Sequence, residues 1–380
     1  MIKAAYIHIP FCEHICHYCD FNKVFLKGQP VDEYLDSLEK EIKLTIEKYG
    51  EHKLSTIFVG GGTPTSLSAS QLERLCGIIN SELQHHPGLE YTFEANPGDL
   101  TEDKLKALYE GGVNRLSFGV QSFNNELLQR IGRTHKAEDV FSSIESAKKI
   151  GFNNISVDLI YSLPGQTLKD FQDTLKTAFT LDIQHYSGYS LIIEPKTIFY
   201  NLMRKGKLPT PGEDVEASMY GLLMEEMASH GFKQYEISNF AKPGFESTHN
   251  LTYWNNEQYF GFGAGSHGYV AGNRYSNFGP LKKYMQPIEQ GDFPIMHEHK
   301  VPLIEQMEEE LFLGLRKNKG ISLSAFEEKY NKKVSQLFGK EIKGLIDREL
   351  IEIEGEFLKL TEKGRFLGNE VFQSFIGVLE

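Results

Sequence analysis

The chain is poor in cysteine, with four among 380 residues, and has a single tryptophan. Positive charge is also in deficit: 40 Lys and Arg stand against 52 Asp and Glu, a formal net charge of −12. So few cysteines in so long a chain exclude a disulfide-stapled secreted scaffold. The acidic balance argues against a nucleic-acid footprint, which needs clustered positive charge. No apolar run approaches the length that spans a bilayer. The first residues lack the charged-then-apolar pattern of a secretory leader. The expectation is a cytoplasmic protein, with peripheral membrane contact left open. A hydrophobic share of 40% and a charged share of 24% are those of an ordinary globular chain. Its length predicts two domains rather than one.

The cysteine that is present is concentrated. Cys12, Cys16 and Cys19 form a C-x3-C-x2-C run directly after the strand-like Ala4–Ile9, and the fourth, Cys76, is distant. Three thiolates can hold three irons of a cubane cluster and leave the fourth iron open to an outside ligand. Structural zinc normally takes four protein ligands. His8, His14 and His17 lie close enough in sequence to complete such a site, so zinc stands as the alternative here.

Short β-branched runs alternate with helical patterns through residues 1–200. Strands are predicted at 4–9, 56–59, 90–94, 115–118, 155–160 and 185–191. Helices are predicted at 32–49, 70–83, 101–110, 125–130, 138–150 and 168–181, with Thr101 as an N-cap and Gly111–Gly112 as a C-cap. Six β-then-α units imply parallel strands with right-handed crossovers. An open doubly wound sheet and part of a β/α barrel both satisfy that pattern. The polar residues worth noting fall at strand ends, which favours the barrel. Beyond residue 200 come a helix at 215–230 and a Gly- and aromatic-rich stretch, 236–300. A charged helical region with a hairpin at 350–353 and 357–360 completes the chain. The predicted division is 1–235, a connecting segment 236–300, and 301–380 resembling a winged helix. Acidic residues prevail in that last part, so it reads as a docking domain rather than a DNA reader.

Several residues carry candidate chemistry. Gly60-Gly61-Gly62-Thr63-Pro64 follows the second strand, where glycines let backbone groups approach a ligand closely. It has neither dinucleotide nor P-loop spacing. Glu94, Gln121 and Asp158 sit at or in strands, and acids in apolar runs require partners. Arg133 could pair with a ligand carboxylate or with one of those acids. Far downstream, His249-Asn250-Leu251-Thr252-Tyr253-Trp254 sets a histidine beside two aromatics. That suits axial ligation of a heme iron, and equally a loop histidine with core aromatics.

The cysteine run, with Tyr18 before its last member, resembles the radical S-adenosylmethionine (SAM) superfamily. The Gly60–Pro64 loop resembles that superfamily's contact to the methionine amino group. More narrowly, the whole chain is similar to the oxygen-independent coproporphyrinogen III oxidase-like family. The likeness runs through Tyr6, the cysteines, Gly60–Pro64, Glu94, Gln121, Arg133, Asp158 and the glycine-rich segment near 260. One branch of that family, the oxidases, carries a further cysteine after the run and a long N-terminal extension. Here that position is Phe21, and eleven residues precede Cys12. The other branch, of heme chaperones, carries H-N-x-x-Y-W, which His249–Trp254 matches at every fixed position.

The resemblance implies a partial (β/α)6 TIM-like barrel of the radical SAM type with a mostly helical, winged-helix-like C-terminal domain. It implies a 4Fe–4S cluster on Cys12, Cys16 and Cys19, with SAM chelating the open iron. Tyr6, Tyr18, Gly61, Gly62, Thr63, Glu94, Gln121, Arg133 and Asp158 would line the SAM site, and His249 would meet heme. The implied function is a chaperone that binds heme and transfers it to an acceptor protein, without coproporphyrinogen oxidase activity. Radical SAM oxidative decarboxylation of coproporphyrinogen III is the alternative. An electron donor to the cluster and a homodimer stay open.

Overall fold

Successive side chains of a strand point to opposite faces, so the apolar–polar alternation of the short strands sets the layering of this molecule. The computed structural model describes residues 2–379. Its centre is six strands, β1 (Ala4–Ile9), β2 (Leu54–Gly61), β3 (His85–Ala95), β4 (Arg115–Gln121), β5 (Asn154–Tyr161) and β6 (His185–Ser190), parallel neighbours in chain order. Parallel neighbours need long crossovers. Helices α1 (Val31–Tyr49), α2 (Ala69–Glu82), α3 (Glu102–Glu110), α4 (Ala137–Ile150) and α5 (Leu168–Phe179) supply them. All six strands and these helices fall within a few residues of the sequence expectation. Thr101 takes the N-cap position of α3 as expected, though its hydroxyl turns to the Asp103 carboxylate and makes no cap bond. The left-handed C-terminal residue is Gly112, at φ +87°, not Gly111.

One face of each strand feeds the main core. Ile7, Ile57, Val59, Phe93, Phe118 and Val157 are fully buried there, against Leu38, Ile42, Leu75 and Ile144 of the helices. The opposite face is polar. It carries Tyr6, Thr56, Glu94, Ser117 and Asp158 into the hollow of the half-barrel.

Residues 236–300 extend this same sheet. After helix α6 (Glu213–Ser229) come strands β7 (Lys233–Glu236) and β8 (Asn239–Ala241); β8 adds antiparallel to β6, and β7 adds antiparallel to β8 at the edge. At the other edge, β9 (Tyr259–Phe262) pairs parallel with β1, and β10 (His267–Val270), β11 (Asn273–Asn277) and β12 (Ile295–Lys300) continue as a meander. The glycine density has the close-packing reason expected of it. A Cβ at Gly261 would stand 1.8 Å from the His267 carbonyl oxygen, and one at Gly263 would stand 2.5 Å from that of His8.

Residues from Met307 to Phe375 form a second core, mostly helical, with a three-stranded antiparallel wing. It is locked to the barrel. The Arg316 guanidinium lies between the rings of Trp254 (4.6 Å) and Phe372 (5.1 Å). Lys317 Nζ donates to Asn255 Oδ1 at 2.6 Å. Glu309, on helix α8 (Leu303–Gly314), binds Arg274 of β11 through both carboxylate oxygens, at 2.9 and 2.7 Å. Among the described residues, no helix is long and apolar enough to cross a membrane.

Candidate functional site

The cysteine loop is built as an excursion from the end of β1. Phe11–Cys12 pairs in parallel with Val24–Phe25, closing the loop at its base. Its far side is pinned where the His17 backbone N–H donates to Ile131 O (3.0 Å) and its carbonyl accepts from Phe199 N (3.1 Å). Asn22 Nδ2 donates to Ala264 O (2.8 Å) and Gly279 O (3.1 Å), docking the loop onto the glycine-rich segment. The thiols of Cys12, Cys16 and Cys19 line one cavity at the C-terminal ends of the strands.

The sequence-predicted residues Tyr18, Gly61, Gly62, Thr63, Glu94, Gln121, Arg133 and Asp158 line the same cavity. A bulge between Gly119 and Gln121 shifts the β4 register before the last pair, Gln121 with Leu159, and Gln121 sits at φ +67°. Gly61, at φ +116°, donates its N–H to Glu94 Oε2 at 3.0 Å. A Cβ there would stand 2.4 Å from the His8 ring. Gly61→Ala is therefore expected to lower folding stability by about 1–3 kcal/mol, read as a shift of the urea midpoint. Arg133 donates to Asn96 Oδ1 (2.8 Å) and to the Gly119 carbonyl, and reaches Cys16 Sγ at 3.7 Å.

Burial pushes the Glu94 carboxyl up to about 7, with the neighbouring Asp158 adding to it. Asp158 is likewise raised by burial, partly offset by the Ser187 hydroxyl and Arg115. Burial also raises the Cys12 thiol to about 11.

Three thiols line the cavity with His14 beside them, and three thiolates are the set that a cubane cluster with one open iron takes. No three His, Cys, Asp or Glu side chains among the described residues are arranged to hold one metal ion. His8 is turned away to Asn22 O (2.7 Å) and Tyr6 Oη (3.1 Å), and His17 to Arg130 O (2.9 Å). A Cβ on Gly62 would stand 3.0 Å from Cys12 Sγ and 2.7 Å from Phe11 O, so the loop leaves a bare cradle beside that thiol.

Two predicted residues lie elsewhere. Tyr6 is on the inward face of β1, its ring stacked near Phe58. His249 is at the opposite end of the hollow, on helix α7 (Thr248–Trp254), where a loop was one expectation. Glu90 receives the Thr248 and His249 N–H groups, each at 2.9 Å, anchoring that helix to β3. His249 Nδ1 lies 3.2 Å from Thr56 Oγ1 and Nε2 lies 2.8 Å from Tyr253 Oη. The ring stacks on Phe58, and burial lowers its pKa to about 3. Sequence reasoning missed Asn96, Ser117 and Gly119 as lining residues. Asn96 is two residues from Glu94, and Gly119 and Ser117 are two and four from Gln121, so the alternation of the strand was the available signal.

Three thiols over a glycine loop, at the carboxyl ends of a parallel half-barrel, define a radical SAM protein. The Radical SAM superfamily model matches residues 6–178, and the HemN C-terminal domain model matches residues 301–367. The solved structure of coproporphyrinogen III oxidase (HemN) from Escherichia coli, described as a radical SAM enzyme, superposes with a TM-score of 0.86 at 26% identity, covering 100% of this chain and 91% of that one. The heme chaperone HemW of Bacillus subtilis (strain 168) is 57% identical, with 100% of both chains covered. That of Lactococcus lactis subsp. lactis is 47% identical over 98% of this chain and 97% of its own. The chain belongs to the heme chaperone HemW family.

Proposed function

We propose that this protein binds heme and passes it to an acceptor protein, while carrying a 4Fe–4S cluster on Cys12, Cys16 and Cys19 with exchangeable SAM. The observation that carries the reading is the 57% identity to a heme chaperone over the whole length of both chains. Phe21 supports it, standing exposed at the cluster cavity where the oxidase branch has a further cysteine. When bound, the cluster would supply an open iron and an electron. Arg133 is the cation available to a SAM carboxylate. Glu94 and Asp158 are half-buried acceptors in the cavity wall for its hydroxyl groups. Gly61 and Gly62 give its amino acid end close access to backbone. The cluster is then structural or regulatory rather than the seat of turnover. A cytoplasmic location goes with the reading, since thiols stay reduced there.

Heme titration of the anaerobically reconstituted protein tests this. Wild type is expected to saturate, and His249→Ala to bind about tenfold or more weakly. Undiminished binding with an unchanged Soret band would remove the H-N-x-x-Y-W motif from the heme site. Coproporphyrinogen oxidation is the second reading, favoured by the likeness to the E. coli oxidase. Steady protoporphyrinogen formation with dithionite and SAM would establish it.

A further inference from the structure

The hollow beneath the cluster cavity holds a buried cation, Arg115. Alternate side chains of a strand share a face, so Arg115, Ser117 and Gly119 follow one another on the inward face of β4. Ser117 and Gly119 line the cavity; Arg115 lies one step deeper and is 2% exposed. It stands in register between Thr92 of β3 and Asn154 of β5. Arg115 Nε, Thr92 Oγ1 and Asn154 Oδ1 are buried atoms without a hydrogen-bond partner among the described residues. Buried polar atoms are nearly always paired, and a buried charge is costly unless another charge compensates it.

The compensating charge is in the layer above. Glu94 is in register with Ser117, and Ser117 Oγ donates to Asp158 Oδ1 at 3.3 Å. Arg115 therefore lies under the Glu94–Asp158 pair, about 7 Å along the strand from Ser117. Its register neighbours are neutral, so they do not cancel its charge. Glu90, one inward step deeper than Thr92 on β3, is taken by the α7 amides. Burial raises both the Glu94 and the Asp158 carboxyl, and the guanidinium pulls both back. Burial lowers His185 and His249, and the same guanidinium adds to that, so neither histidine serves as a counter-cation. The other groups facing the pair are the Gly61 N–H on Glu94, the Ser117 and Ser187 hydroxyls on Asp158, and the phenols of Tyr6, Tyr189 and Tyr253. Arg133 also acts on Asp158, from the side of the cluster loop, where it reaches Cys16 Sγ.

We propose that Arg115 is a positioning residue for SAM: its fixed charge keeps both carboxylates of the Glu94–Asp158 pair anionic, so that each accepts from a SAM hydroxyl. The proposal rests on the SAM reading above and extends it to a residue that does not line the cavity. An ionised carboxylate is acceptor-only, whereas a protonated one turns an oxygen into a donor. Two neighbouring acids without a cation beneath them hold on to a proton, and an acceptor is lost. Anionic carboxylates also suit the positive sulfonium of SAM.

The experiment is SAM titration of the full-length, anaerobically reconstituted protein by calorimetry, from about pH 6 to about pH 9, with iron content and circular dichroism beside it. Arg115→Gln removes the charge and keeps a polar side chain. It is expected to bind SAM about tenfold more weakly near neutral pH, with wild-type iron. The gap is expected to close toward the alkaline end, where both acids ionise unaided. Arg115→Lys, which keeps the charge, is expected to restore the wild-type affinity and pH profile. The proposal is overturned if Arg115→Gln matches wild type at every pH, if its loss is the same at every pH, or if Arg115→Lys loses as much. Should Arg115→Gln not fold, Arg115→Lys decides: a wild-type profile supports the proposal, and a loss overturns it. Wild type failing to bind SAM would overturn the SAM reading itself, and the role of Arg115 with it.

Discussion

Cys16→Ala is expected to give a folded, colourless protein. The side chain is half-buried, approached by Arg133 at 3.7 Å and by the Tyr18 hydroxyl. Arg133 keeps Asn96 and the Gly119 carbonyl without it. The folding cost is therefore about 1 kcal/mol. The cost to the cluster is of another order, because a cubane held by three thiolates loses one of them. After anaerobic reconstitution, iron content should fall to background and the visible charge-transfer absorption should vanish, while circular dichroism is unchanged. Wild-type iron and absorption in this variant would contradict the assignment of the cysteine loop.

Glu41→Ala should do the opposite, unfolding the protein without touching the cavity. Glu41 is buried on α1 and accepts from Gly263 N (2.8 Å), Asn277 Nδ2 (2.5 Å) and Tyr284 Oη (2.6 Å). Truncation leaves the buried Gly263 N–H and Tyr284 O–H unpaired at about 1–3 kcal/mol each, a large share of the roughly 5–15 kcal/mol that holds a typical domain, while Asn277 Nδ2 keeps Gly263 O and Ser266 Oγ. Low soluble yield or a collapsed urea midpoint is the result to look for, with Glu41→Gln losing less. Burial pushes the Glu41 carboxyl from its ordinary 4.5 up to about 7. The folded state therefore binds more protons than the unfolded state between those values. Its stabilising effect is complete below about pH 4.5 and is lost as pH rises through about 7. Wild type should thus show a urea midpoint that falls across this window, and Glu41→Gln should flatten the fall.

How much of this was legible depends on whether the signal is local. The six strands could be read because apolar side chains recur on one face, as Ile7, Val59 and Phe93 do, and register follows from that face. The cluster cavity could be read because its thiols lie within eight residues of one another and the other groups end strands. The edge strands β7 to β12 could not. They are short and rich in Gly, Asn and Tyr, and their pairing with β6 and β1 is set by tertiary contact rather than propensity. His249 was visible as a motif, but its surroundings were not. Thr56 and Glu90 come from strands more than 150 residues earlier, and nothing in H-N-x-x-Y-W announces them. Glu41 escaped for the same reason, since an acid on an amphipathic helix reads as solvated until Gly263 and Tyr284 arrive.

The stacking of Arg316 between Trp254 and Phe372 has a practical corollary. Since the chain has no other indole, its intrinsic emission is a spectroscopic gauge planted at the junction of the two cores. Removal of the guanidinium during denaturation changes both the charge and the wetness beside that chromophore. If the C-terminal module detaches before the half-barrel melts, fluorescence should register the earlier event and far-UV dichroism the later one. Their coincidence or separation then reports whether the two cores unfold as one cooperative unit.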